Sequence, residues 1–166
     1  MATILIELYQ HNLWANLKLL DVCAGLNEEK LELSAPGTYG RVRDTLVHLV
    51  GAEERYVAML GEGQPDNAVR EGEPFPGLAT LREHAKRSGE WLIKFAGENP
   101  AGKVLAGTRR GEPYRMAAAV PMLQAINHAT EHRAHVVSIL TQNGVEVPEM
   151  DGWVYGAATG LDRVSE

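Results

Sequence analysis

Pro121-Met122-Leu123-Gln124-Ala125-Ile126-Asn127-His128-Ala129-Thr130-Glu131-His132-Arg133-Ala134-His135-Val136-Val137-Ser138-Ile139-Leu140-Thr141-Gln142-Asn143 is the stretch that decides the fold. On a wheel turning about 100° per residue, Met122, Ile126, Ala129, Val136, Val137 and Leu140 gather on one side. Asn127, Glu131, Ser138 and Gln142 fall on the other, so the segment reads as an amphipathic helix. The same period recurs over residues 3–24, 42–60 and 78–96. Residues 25–40, 61–77 and 97–112, between these runs, are rich in turn-forming residues. Four helices joined by long connectors predict an all-α four-helix bundle. Connectors of this length can cross a bundle, so a strict up-down-up-down course is not required. Glu28–Leu31 is expected to add a helical turn. Residues 104–108 and 114–116 are expected to pair as a short hairpin around Arg110, Gly111, Glu112 and Pro113.

Working outward, the 166 residues suit a single domain over 1–166, with 144–166 as a tail. That tail is irregular in pattern but carries Val145, Val147, Trp153, Val154 and Tyr155, so it is expected to pack back on the helices. Apolar residues make up 45% and charged residues 23%, an ordinary globular balance. No run approaches the roughly 18 consecutive apolar residues of a membrane span. The first ten residues do not read as a signal peptide, so cytoplasmic residence is the expectation. With a net charge of −6 and Arg109-Arg110 as the densest basic pair, nucleic-acid binding is not expected. The single cysteine, Cys23, cannot form an internal disulfide and reads as a small buried hydrophobe.

Several polar residues stand on apolar faces. Asn12 and Asn16, one turn apart, fall in the apolar sector of the first helix. As buried amides they need partners, from a neighbouring backbone or tail or as the lining of a polar pocket. His11 falls on the opposite, solvated side. In the second helix Val42, Leu46, Leu49, Tyr56 and Leu60 form the stripe, and Glu53 lies within that sector. Arg133 lies near the centre of the fourth helix's apolar face. Isolated buried ions are costly, so Glu53 and Arg133 are expected to pair across the two helices and fix their register. Trp91, Leu92 and Phe95 read as core or as an interface.

The histidines carry the chemistry. His128 and His132 are one turn apart and can reach one ion together. Neutral imidazole suits zinc, nickel, copper and iron. His48, at the edge of the second helix's stripe beside Thr45, Ala52 and Met59, can supply a third ligand. Asp44, one turn before His48, is a candidate to orient its other ring nitrogen. The sequence contains no HExxH, so the metalloprotease arrangement is absent.

These segments resemble the DinB/YfiT-like family, which is unrelated to the DNA polymerase sharing the DinB name. The second helix matches over Asp44-Thr45-Leu46-Val47-His48-Leu49-Val50-Gly51-Ala52-Glu53, and the fourth over Asn127 to His135. Trp14-Ala15-Asn16 and the tail from Pro148 to Tyr155 match as well, so the resemblance spans nearly the whole chain in order. It implies a four-helix bundle with an up-up-down-down course, often dimeric. It also implies one divalent metal held at His48, His128 and His132, zinc or nickel, with manganese or iron as further candidates. Many members carry a histidine at the position of Glu131 and a glutamine at that of His135. That departure makes His135 a candidate fourth ligand or proton carrier.

The expected function is that of a metal-dependent enzyme acting on a small molecule. Either it hydrolyses an ester or amide, or it transfers a low-molecular-weight thiol to an electrophile. The alternative is a non-catalytic stress-response protein whose metal is structural. No general base is assigned, and Glu131 is expected on the solvated side.

Overall fold

The computed structural model describes residues 3–98, 100–109 and 111–163. The chain runs α1 (Ile4–Ala24), α2 (Glu28–Leu31), α3 (Val42–Leu60), α4 (Leu78–Gly97), a 3₁₀ turn (Pro100–Gly102), β1 (Val104–Arg109), β2 (Glu112–Ala117), α5 (Ala119–Gln142) and α6 (Gly152–Thr159). The four long helices fall where the periodicity predicts them. The hairpin also forms, with Val104 paired to Ala117 and Arg109 to Glu112 in antiparallel register. Arg110, expected in its turn, lies outside the described residues. Among the described residues no helix is long and apolar enough to cross a membrane.

Several helices begin or end for a local reason. Thr3 caps α1 by accepting from the Ile6 amide, and Asn27 caps α2 through the Lys30 amide. Gly61 ends α3 at a φ of 120°, a conformation disfavoured for any residue with a Cβ. The tail is not irregular as expected. It contains α6, capped by Asp151, whose Oδ1 accepts from Val154 N at 2.9 Å, and closed by Gly160 in the left-handed region.

Contacts between the helices set the course. Asp21 pairs with Arg82, and a Cβ on Gly89 would lie 2.6 Å from Leu13, so α1 and α4 run antiparallel. The Tyr9 hydroxyl donates to the Met122 carbonyl while Asn16 meets Arg133, so α1 and α5 run parallel. His48 and Tyr56 of α3 both meet His128, and Val57 and Leu60 share a cluster with Met122, so α3 opposes α5. The course is therefore up-down-down-up, not the up-up-down-down order expected from the resemblance. Chain length permits it: the 61–77 connector can extend to about 55 Å, whereas α3 rises about 29 Å, so α3 and α4 can lie parallel.

Two apolar clusters fill the interior. One joins Leu19, Leu20, Val42, Leu46, Val50, Leu81, Val136 and Ile139, and Val145, Val147 and Met150 of the tail close over it. The other joins Tyr9, Val57, Leu60, Leu92, Phe95, Met122 and Ala125. Leu92 and Phe95 are thus core, while Trp91 stacks on Phe95 at 4.9 Å. Cys23 is fully buried, and burial pushes its thiol up to about 12, as suits an inert hydrophobe.

Candidate metal centre

Between the two clusters lies a polar layer. Glu53 and Arg133 are both buried, as their positions on the apolar faces predict. They do not pair directly. Arg133 Nη1 donates to Oδ1 of Asn12 and of Asn16 at 2.7 Å each, and each asparagine's Nδ2 donates to Glu53 Oε2 at 3.2 Å. Two helix-α1 amides occupy the space that a direct ion pair would need, so the expected pair is replaced by a bridge. Ser88 donates to the other carboxylate oxygen at 2.5 Å. The asparagines thus find side-chain partners rather than backbone or tail. Burial lowers the Arg133 pKa to about 10, with Glu53 opposing the shift.

One turn toward the groove between α3 and α5, His48, His128 and His132 converge. Each offers one ring nitrogen, and the three nitrogens lie within 4.8 Å of one another. The Nε2 atoms of His48 and His128 are 2.9 Å apart. Ring centroids stand 4.8 Å (His48–His128), 4.7 Å (His48–His132) and 4.3 Å (His128–His132) apart. His132 is buried, and the other two are half-buried. Burial, and then the neighbouring imidazoles, hold His128 and His132 down at about 4, so both rings are neutral near pH 7 and offer lone pairs.

This arrangement fits a divalent ion. A tetrahedral zinc at about 2.0–2.1 Å from each nitrogen needs donors about 3.3 Å apart; the His48–His128 pair stands at 2.9 Å, and all three donors lie within 4.8 Å of one another. His132 Nδ1 is buried without any hydrogen-bond partner, an expense that polar interiors avoid unless the ring has another role. His135 is half-buried, with its ring 5.3 Å from His132, but it does not belong to the converging set. Glu131 is exposed, as expected.

The surroundings include residues that periodicity did not flag. The Tyr39 ring stacks on His48 at 4.0 Å and meets His132 edge-on at 5.1 Å. Its hydroxyl donates to Glu71 Oε2 at 2.7 Å. Burial and this bond push the Tyr39 hydroxyl up to about 12. Glu71 Oε1 accepts from Arg55 at 3.2 Å and lies 2.9 Å from His48 Nδ1, although that nitrogen is not aligned for a hydrogen bond. Burial raises the Glu71 carboxyl, but Tyr39, His48 and Arg55 together outweigh it and leave the pKa below its usual value. Asp44 does not reach His48. Arg41 takes both of its oxygens, at 2.6 and 3.3 Å, so the expected orienting role fails because a nearer cation captures the carboxylate. Tyr56 closes the other side, edge-on to His128 at 5.7 Å.

His11 is not solvated. The tail covers it: its Nε2 lies 2.9 Å from the Met150 carbonyl and its ring packs on Tyr155. A second buried group, unforeseen from the sequence, joins Glu54 to His84 Nδ1 at 2.7 Å, to Arg87 at 2.8 Å and to the Val69 amide at 2.8 Å. It ties α3, α4 and the 61–77 connector together.

No curated protein and no solved structure matches the chain. The model of the DinB family matches residues 1–163. With a match over nearly its whole length, the chain belongs to the DinB family.

Proposed function

We propose that this chain is a metal-dependent enzyme acting on a small molecule, with one divalent ion, zinc or nickel, held by His48, His128 and His132. The observation that carries the reading is the converging set itself: among the described residues it consists of three histidines. Three protein ligands leave a coordination position for water or substrate, the pattern of catalytic rather than structural zinc. When bound, such an ion supplies Lewis acidity and lowers the pKa of a water or thiol. The chain holds two imidazoles neutral for it and sets the rings of Tyr39 and Tyr56 against the centre.

Two cavities of a size for a small substrate are lined by aromatic neighbours of the histidines, although by no histidine itself. One of about 450 Å³ adjoins Tyr39, Glu71 and Phe75, and one of about 350 Å³ adjoins Tyr56, Met59, Met116 and Gln124. A third, of about 410 Å³, lies between Glu54, Arg87 and Trp91 and is lined by neither Tyr39 nor Tyr56. The reaction is hydrolysis of an ester or amide, or attack of a low-molecular-weight thiol on an electrophile.

A structural role for the metal is the second reading. Against it, α3 and α5 are already joined through Glu53, the asparagines and Arg133, and through the apolar clusters. An ion is not needed to hold them. The test is elemental analysis of native protein beside His132→Ala, followed by turnover assays with thiol–electrophile pairs and then esters. Near-stoichiometric metal, lost in the variant, and a metal-dependent turnover support the reading. No metal in either protein after soaking with zinc and nickel ends it. Metal whose removal unfolds the protein, without turnover, favours the structural role.

A further inference from the structure

We propose that Glu71 is a positioning residue of the histidine centre: it accepts the Nδ1 proton of His48 and thereby commits that ring's Nε2 to the ion. This rests on the metal reading above and adds a residue from outside the two helices that carry the ligands.

Glu71 is held in place by two hydrogen bonds. Its Oε2 accepts from the Tyr39 hydroxyl at 2.7 Å, and its Oε1 accepts from Arg55 at 3.2 Å. That same Oε1 is 2.9 Å from His48 Nδ1. The Nδ1 atom is buried and has no aligned hydrogen-bond partner, so a small turn of the ring toward this oxygen would satisfy it. The Tyr39 ring, from the 25–40 connector, stacks on the face of the same imidazole at 4.0 Å.

The connector that carries Glu71 is anchored rather than loose. Two residues upstream, the Val69 amide donates to the buried Glu54 at 2.8 Å. The chain passes so close to α3 that a Cβ at Gly51 would lie 2.6 Å from the Val69 carbonyl oxygen. His84 and Arg87 hold the other oxygen of Glu54. Buried groups therefore fix how near Glu71 comes to His48.

The chemistry follows from what each partner can do. Neutral imidazole has one N–H and one lone pair, and an ionised carboxylate only accepts. The nitrogen facing Glu71 must bear the proton, which leaves the lone pair on Nε2, the atom turned toward His128. Metal-bound histidines commonly donate their other N–H to a carboxylate, and losing that partner lowers metal affinity by about ten- to hundredfold.

The test compares native protein with Glu71→Gln, Tyr39→Phe and Glu73→Gln. Glu73→Gln makes the same charge change in the same connector. Zinc affinity is measured by competition with a chromophoric chelator, and the His48 ring is followed by imidazole ¹⁵N NMR of the zinc-loaded protein. Circular dichroism checks that each variant is folded, with Glu71→Asp as a substitute should Gln fail to fold. The expected result is a ten- to hundredfold loss of affinity in Glu71→Gln, a smaller loss in Tyr39→Phe and less than twofold in Glu73→Gln. The protected Nδ1–H signal of His48 should vanish in Glu71→Gln. Native-like affinity with that signal intact would overturn the inference, as would an equal loss in Glu73→Gln, which would mean charge alone is felt. Native protein that binds neither zinc nor nickel would instead remove the metal reading on which the inference rests, and the inference with it.

Discussion

Arg133 reaches Glu53 only through amides, with the Asn12 and Asn16 side chains standing between guanidinium and carboxylate. Each asparagine uses its oxygen toward Arg133 and its nitrogen toward Glu53, so neither ion is left unpartnered in the interior. The bridge spans α1, α3 and α5, and Ser88 extends it to α4. All four long helices thus meet at one buried polar layer. Arg133 follows His132 in sequence, so the layer also bears on how α5 presents its ligands.

Removing one bridging amide leaves both ions short of a partner. Asn16→Ala should cost about 1–3 kcal/mol in denaturant unfolding. Asn12→Ala should cost a similar amount. Because the two amides serve the same pair of ions, the double variant should depart from the sum by more than about 0.5 kcal/mol. Strict additivity in that cycle would mean that the layer does not act as a unit.

The same layer sets a pH dependence. Burial pushes Glu53 up to about 7 from an ordinary 4.5, against the pull of Ser88, Arg133 and Asn12. Between those values the folded protein keeps a proton that the unfolded chain has released, so this carboxyl's contribution to stability falls as pH rises through the window. His128 and His132 act the other way. With folded values near 4, they make stability rise between about 4 and 6.5. A difference measurement separates the two effects. In metal-free protein, the stability of Glu53→Gln relative to native should climb by roughly 3 kcal/mol between pH 4 and pH 8. A flat difference would show that folding leaves the Glu53 pKa unshifted.

These features were not equally legible in the sequence. The long helices, Glu53, Arg133 and the three histidines were readable because helical periodicity converts position into direction. A charge or imidazole on an apolar face declares itself. The bridge was half-visible: Asn12 and Asn16 stood out as inward amides, but nothing local says that they come between two ions of other helices. Tyr39 and Glu71 lie in connectors, where no period gives direction, so their approach to His48 depends on the path of the chain. Glu54 was hidden for another reason. It is next to Glu53 but faces α4, and α3 is packed on several sides, so one stripe cannot describe it. The missed α6 did carry a signal in Asp151, a capping residue followed by a short helical run that Gly160 closes.

His135 tests whether the ligand set stops at three. Its ring neighbours His132 but lies outside the converging nitrogens. His135→Ala should keep near-stoichiometric metal by elemental analysis, whereas His48→Ala, His128→Ala and His132→Ala should each lose it. Loss of metal in His135→Ala with the fold intact would add a fourth ligand and weaken the argument for an open coordination position.

Gly51 separates the placement of the connector from the chemistry of its side chains. A methyl there would stand 2.6 Å from the Val69 carbonyl oxygen, a backbone atom that cannot turn aside as a flexible side chain can. Gly51→Ala must therefore push the connector outward, away from Glu54 and His48. The expected cost is about 1–3 kcal/mol in thermal or denaturant unfolding, the usual range for forcing volume into packed structure. Gly40→Ala, where a Cβ would meet nothing within 4 Å, serves as the control and should stay within about 0.5 kcal/mol of native. Because the displaced segment includes Glu71, zinc affinity should fall in Gly51→Ala although no ligand has been touched. A destabilised Gly51→Ala that binds zinc as native does would show that the connector and the histidine centre are independent.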